Sequence, residues 1–400
     1  MIVMRPSDYF SKNLCPVCNR KGVQNVINIK QVPIVCNSLS DTRQAALDAP
    51  LGDIELAFCR QCGHVFNLAF DAQQIGYTED YENSLHFSPR FQEYATALAS
   101  DLVGRYGLID KDILEIGSGR GDFLRLLVEL GQNRGVGFDP SYPGPAKGEE
   151  LPGMTFVQDY YDQRYAGFPA DFILSRHVLE HIPQPGAFLR MLRAVIGERQ
   201  ETVVFFEVPN VLYTLHDLGI WDLIYEHCSY FSASSLAEAF RCSGFEVLET
   251  RQTFGGQFLT IEARAAQEKK SNAIGQDSSL EEIARDVQTF AGNYREKVSA
   301  WKKRLQAFKQ TGKRVVIWGA GSKGISFLNT LKAPDTIEYV VDINPRKQGK
   351  FISGAGQQIV SAAFLKTYQP QVVILMNRNY EAEIQRQLQD MGLDVEIAYA

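Results

Sequence analysis

Apolar and polar positions along this 400-residue chain alternate between short apolar runs and amphipathic stretches, the pattern of strands interleaved with helices. Candidate strands lie at 113–116, 135–138, 155–157, 172–175, 202–207, 245–250 and 258–263, with helices between most of them. Phe91, Tyr94, Leu98 and Leu102 recur at helical spacing and predict an amphipathic helix over 87–106. Such alternation implies a parallel sheet covered by helices on both faces, with the last two strands as an antiparallel edge pair. A second α/β unit opens at Arg314-Val-Val-Ile-Trp-Gly319 and continues through 338–342, 372–376 and 395–399. It is too small for a full dehydrogenase domain. Short β-like runs and turn residues fill the first 75 positions or so, around a set of cysteines.

The expected division is therefore an N-terminal module over 1–80, a central Rossmann-like domain over 81–265, a linker and long helix over 266–310, and a smaller Rossmann-like domain over 311–400. Composition fits: 45% apolar and 22% charged residues describe a globular chain of two or three domains. A formal charge of −6 without a long basic run argues against nucleic acid as the main partner. A small molecule or a protein-borne group is the expected acceptor. No apolar stretch approaches the roughly 18 residues of a spanning helix, and no secretory signal opens the chain. No membrane partner is expected, and the reading is of a soluble, cytosolic protein.

The chemistry begins at Ile113-Leu-Glu-Ile-Gly117-Ser-Gly119-Arg-Gly121, where a strand runs into three alternating glycines and then a helix. Backbone can approach a ligand there where a side chain would collide. Asp139 ends the next strand twenty residues after Gly119, placed to accept hydrogen bonds from a ribose diol. The G-x-G-x-G spacing behind Glu115 differs from the dinucleotide G-x-G-x-x-G, because no pyrophosphate needs cradling. This favours S-adenosylmethionine over NAD. Glu115, Gly117, Gly119, Gly121 and Asp139 form the candidate cofactor site. Asp159, after the third strand, is the candidate acceptor for the adenine amino group. His177 follows the fourth strand at the face where such sheets bind ligands, and it either lines the pocket, packs, or pairs with His181 on a metal.

Cys15-Pro-Val-Cys18 and Cys59-Arg-Gln-Cys62 make two thiolate knuckles suited to a tetrahedral zinc, with Cys36 and His64 nearby as substitutes. Four protein ligands leave no open position, so this metal is structural. Methyl transfer to an acidic acceptor position needs a base near neutrality, and His227, in Tyr225-Glu226-His227, is the candidate. Glu226 would orient it or share the proton, and Tyr225 stands beside it. The second glycine loop, Gly319-Ala-Gly321-Ser-Lys323-Gly324 with Asp342 after the next strand, has the dinucleotide spacing. A helix N-terminus with Lys323 could equally hold the phosphates of a carrier group.

Taken together, the paired C-x-x-C module, Leu114-Glu-Ile-Gly-Ser-Gly119, Gly137-Phe-Asp-Pro-Ser141, Tyr225-Glu-His227 with Phe231-Ser232, Gly255-Gly256, and the C-terminal loop with Val340-Val-Asp-Ile-Asn344 resemble a known family. It is the family of three-domain, zinc-containing S-adenosylmethionine-dependent C-methyltransferases, whose best-known members act on a nucleotide-linked keto-sugar. The resemblance covers nearly the whole chain. It implies a zinc module, a class I methyltransferase domain, and a C-terminal Rossmann-like domain that closes over the substrate without a redox cofactor. It also implies His227 as the base, Glu226 as its acid neighbour, and Tyr81, just after the zinc module, as a helper at the reacting sugar. Residues 207–210 and 221–225 depart from the sugar enzymes on the acceptor side. O- or N-methylation of another metabolite, and a catalytically degenerate binding protein, are the competing readings.

Overall fold

Three sheets organise the computed structural model, which describes residues 14–76, 81–145, 151–267, 278–332 and 335–400. The N-terminal strands are β1 (Val23–Pro33), β2 (Leu51–Cys59) and β3 (Val65–Asn67). Next come β4 (Asp112–Ile116), β5 (Arg134–Phe138), β6 (Met154–Val157), β7 (Phe172–Arg176), β8 (Val203–Pro209), β9 (Ser229–Tyr230), β10 (Phe245–Thr253) and β11 (Phe258–Ala265). The C-terminal strands are β12 (Val315–Trp318), β13 (Ile337–Val341), β14 (Gln358–Val360), β15 (Val372–Leu375) and β16 (Glu396–Tyr399).

The central sheet runs β10-β11-β8-β7-β4-β5-β6. Strands β4 to β8 are parallel, while β11 enters antiparallel between β8 and β10. The antiparallel pair is thus at the sheet end, as its short connection implied. Every residue of β7, β12 and β15 is buried, which is what a parallel strand covered on both faces requires. The C-terminal sheet is all parallel, in the order β14-β13-β12-β15-β16. Strand β14 was not foreseen, because three residues carry too little pattern.

The helix expected over 87–106 spans Pro89–Tyr106. It starts there because Ser88 caps it, accepting from the Phe91 amide at 3.3 Å, with Pro89 in the first turn; it stops at Gly107 in the left-handed region, φ 57°. The linker expected over 266–279 falls largely outside the described residues, and the helix Ser278–Gln310 follows it.

The N-terminal sheet is antiparallel in the order β1-β2-β3-β9, so a strand from the middle of the central domain completes it. The cores are shared as well. One apolar cluster joins Cys15, Val17 and Phe66 to Leu114, Phe206 and Phe240 of the central domain. Another joins Ile54 and Leu56 to Trp221, Phe290, Ile317 and Ile374. No helix among the described residues is long and apolar enough to cross a membrane.

Candidate active site

Strand β4 delivers the glycine loop to the edge of a cavity of about 550 Å³. Gly117 and Gly121 have φ of +74° and +82°, and a Cβ on them would lie 2.1 Å from Val178 and 2.3 Å from Phe156. Only glycine fits. Gly119, φ +54°, has nothing within 4 Å of a Cβ, so its open face is cavity space. Its amide donates to Asp139 Oδ2 at 2.8 Å, while the Ser141 amide and hydroxyl donate to Oδ1 at 2.8 and 2.6 Å. The carboxylate is 9% exposed and fixed in direction before any ligand arrives. Glu115 lies at the back wall, its Oε2 without a partner, and burial pushes its carboxyl up to about 8. Asp159 also lines the cavity, but it accepts from Tyr165 at 2.6 Å and Arg164 at 3.0 Å, contacts that hold its carboxyl below the usual range.

A second cavity of about 290 Å³ adjoins the first. Tyr81, Ser84, Leu85, His177 and His181 line both, so the two spaces meet at a common wall. His227 faces the second cavity, its ring 4.9 Å from that of His181 and edge-on to it. Burial, helped by the nearby positive charge of His181, His177 and Lys323, holds the His227 imidazole well below its ordinary pKa. It is therefore a neutral, proton-accepting ring at neutral pH. Ligand atoms of Glu180, His181 and His227 lie within 4.8 Å of one another, a grouping the sequence pattern did not isolate. The opposite wall comes from the C-terminal unit through Gly319, Gly321, Lys323, Asp342, Asn344 and Lys347.

His177 is the hinge between the cavities. Its backbone is left-handed, φ 57°, and Nε2 lies 2.8 Å from Glu207 Oε1, with Glu180 3.7 Å from Nδ1. Burial opposes its charge, but the two carboxylates more than offset that and push it up to about 9. Glu207, fully buried at the end of β8, is held down to about 2 against burial by Arg176 and His177, and also accepts from Tyr94. The sequence assigned no role to Arg176 or Tyr94, and singled out Glu207 only as the start of the 207–210 segment that departs from the sugar enzymes. The one available signal was a charge inside the apolar run of β8.

Two expected catalytic residues stand elsewhere. Tyr225 is 1% exposed and lines neither cavity; its hydroxyl accepts from the Asp71 amide at 2.9 Å, and its ring fills the space beside Gly52, where a Cβ would approach to 2.5 Å. It is a packing residue. Glu226 is also fully buried behind the wall, accepting from the Cys36 amide at 2.7 Å and hydrogen-bonding Tyr81. It orients Tyr81, which does face both cavities.

Cys15, Cys18, Cys59 and Cys62 converge, with Sγ–Sγ distances of 3.6 Å for Cys15–Cys62 and 3.7 Å for Cys18–Cys59. A tetrahedron with 2.3 Å zinc–sulfur bonds has edges of about 3.8 Å, so the donor set fits that ion. Neither substitute joins it: among the described residues the converging ligand atoms are those four thiols, and the His64 ring stacks on Phe66 at 5.5 Å.

Residues 91–250 match a family model described as a methyltransferase domain, which with the glycine-loop cavity defines the class: an S-adenosylmethionine-dependent methyltransferase. Residues 252–394 match a second model, the C-methyltransferase C-terminal domain. C-methyltransferase NovU of Streptomyces niveus is 25% identical over 412 residues, covering 96% of this chain and 92% of that protein. The two family models and this relative support a C-methyltransferase family for the chain. Among solved structures, magnesium protoporphyrin IX methyltransferase (ChlM) from Synechocystis PCC 6803 with bound SAH matches 44% of this chain and 84% of its own, at 17% identity and a TM-score of 0.34. The 1,6-didemethyltoxoflavin-N1-methyltransferase of Burkholderia thailandensis matches 44% and 80%, at 18% identity and a TM-score of 0.32.

Proposed function

We propose that the protein methylates a carbon next to the carbonyl of a nucleotide-linked keto-sugar or a similar small molecule. The observation that carries this is the adjoining pair of cavities: a methyl-donor site on one side, and on the other a base, His227, facing a second glycine-loop unit. Gly117, Gly119, Gly121 and Asp139 hold S-adenosylmethionine, with Glu115 behind them and Asp159 on the adenine side. The cofactor supplies an electrophilic methyl on a sulfonium. The neutral His227 takes the proton α to the carbonyl, leaving an enolate whose carbon would bond to the methyl as S-adenosylhomocysteine departs with the sulfur–carbon electron pair. Tyr81, held by its hydrogen bond to Glu226, lines the wall against which the carbonyl would sit. His177, charged and pinned by Glu207 and Glu180, fixes the wall between donor and acceptor. Lys323, ion-paired with Asp222, would have to exchange that partner to meet a diphosphate at the start of the helix after the second glycine loop. Zinc on the four cysteines holds the N-terminal module together and takes no part in the chemistry.

The test is to incubate the enzyme with S-adenosylmethionine labelled in the methyl group and a metabolite extract, then to locate the label by mass spectrometry and NMR. Label on a carbon α to a carbonyl is the expected result. Label on oxygen or nitrogen would replace this reading with simple O- or N-methylation. With the acceptor in hand, its α-hydrogen should exchange with deuterated solvent, and His227→Asn should stop that exchange.

A further inference from the structure

The segment from Tyr81 to Ser88 runs across both cavities and is tied down on two sides. Toward the N-terminal module, Tyr81 bridges Ser38, and the Glu82 amide donates to the Asn37 carbonyl at 3.2 Å. Toward the C-terminal unit, Asn344 Nδ2 donates to Glu82 Oε1 at 3.1 Å and the Arg346 guanidinium to Glu82 Oε2 at 3.2 Å. Arg346 also stacks over the Phe87 ring at 5.3 Å, and the Ser88 hydroxyl donates to Glu383 at 2.6 Å. Glu82 is 8% and Asn344 2% exposed, so their bond is sheltered from water, where such contacts are strongest.

Asn344 is not free to choose its direction. Its side-chain Oδ1 accepts from the Arg346 backbone amide at 2.9 Å, its own backbone amide donates to Asp342 Oδ1 at 2.8 Å, and Asp342 Oδ2 accepts from the Ala320 amide in the second glycine loop, also at 2.8 Å. A continuous chain of hydrogen bonds therefore leads from that loop through Asp342 and Asn344 to Glu82. Asp342 and Asn344 line the acceptor-side cavity, whereas Glu82 lines the methyl-donor cavity. Neither Asn344 nor Arg346 reaches the donor cavity itself.

We infer that Asn344 and Arg346 are positioning residues for the methyl donor: acting through Glu82, they hold the 81–88 segment in place as the outer wall of the cofactor cavity. A unit that touches no cofactor thereby sets how tightly the cofactor is held. The inference rests on the cofactor assignment made above, and its test separates the two. S-adenosylhomocysteine binding to the full chain is measured by calorimetry, and its release by stopped-flow displacement. Arg346→Ala and Asn344→Ala should each weaken binding about tenfold, the worth of one charge-assisted hydrogen bond, mostly through faster release. Arg346→Lys should recover most of the loss. Glu82→Gln combined with Arg346→Ala should be no worse than either alone, because both remove the same contact. The Arg346 side chain is 43% exposed, so its removal leaves the fold intact, checked by an unchanged melting temperature. Affinity within twofold of wild type in both alanine variants overturns the inference, and so do single losses that add in full in the double variant. Wild type that fails to bind S-adenosylhomocysteine overturns the cofactor assignment together with it.

Discussion

Glu115 offers a sharp test of how the cofactor cavity is built. Its carboxyl is buried, one oxygen has no partner, and its pKa is raised from 4.5 to about 8 by that burial. Between those values the unfolded chain releases the proton while the folded protein keeps it. Stability is then fully present below pH 4.5, falls as pH rises, and levels off above about 8. At about 1.4 kcal/mol per pH unit the loss totals about 4–5 kcal/mol, a large part of a typical folding free energy. Glu115→Gln has the same shape and cannot ionise. Urea unfolding of the two proteins, in pairs at half-unit steps from pH 5 to 9, should show nearly equal stability at pH 5 and a gap of several kcal/mol in favour of glutamine by pH 8.5. Saturating S-adenosylhomocysteine should change that gap, because a ligand group set against the unpartnered Oε2 shifts the carboxyl's pKa. Parallel stability curves across the range would refute the reasoning, and a gap that the ligand leaves untouched would remove Glu115 from the cofactor site.

Three further outcomes are expected. His227→Asn should lower turnover by about 10²–10⁴-fold while leaving S-adenosylhomocysteine affinity unchanged; in wild type the basic form persists to low pH, so an acid limb of kcat/KM at or above about pH 6.5 that persists in Glu115→Gln would contradict the buried neutral base. Tyr225→Phe, which loses the bond from the Asp71 amide, should cost about 1 kcal/mol of stability and spare kcat, whereas Tyr81→Phe should do the reverse; equal kinetic defects in the two would contradict their placement. Elemental analysis should find one zinc per chain, and chelation should lower the melting temperature; a fully folded zinc-free protein would overturn the four-cysteine assignment.

Why some of this could be read from sequence and some could not follows from the range of the interactions. Gly117 and Gly121 are written into the chain because their backbone angles and the closeness of Val178 and Phe156 exclude any side chain. The C-x-x-C pairs were legible for a similar reason, since each knuckle presents two sulfurs by local geometry alone. The irregular stretch around residue 225 has no such local rule. Which of its side chains face the cavity is set by Gly52 and by a bond from the Cys36 amide to Glu226, 190 positions away. Local pattern put Tyr225 and Glu226 beside His227; distant packing turned both away from the cavity. The Glu82 contacts, spanning 262 and 264 positions, were hidden in the same way.

Strand β9 begins two residues after His227 and hydrogen-bonds β3, itself three residues past Cys62. The proposed base is thus moored to the cysteine cluster by a few backbone bonds, while the methyl-donor cavity is built on a different sheet. Trimming the chain to its methyltransferase-like middle would then strip the donor cavity of its 81–86 wall and leave the proposed base unmoored. The boundary suggested by sequence similarity cuts through the working enzyme, and any transplant of its specificity has to carry the first 70 or so residues along.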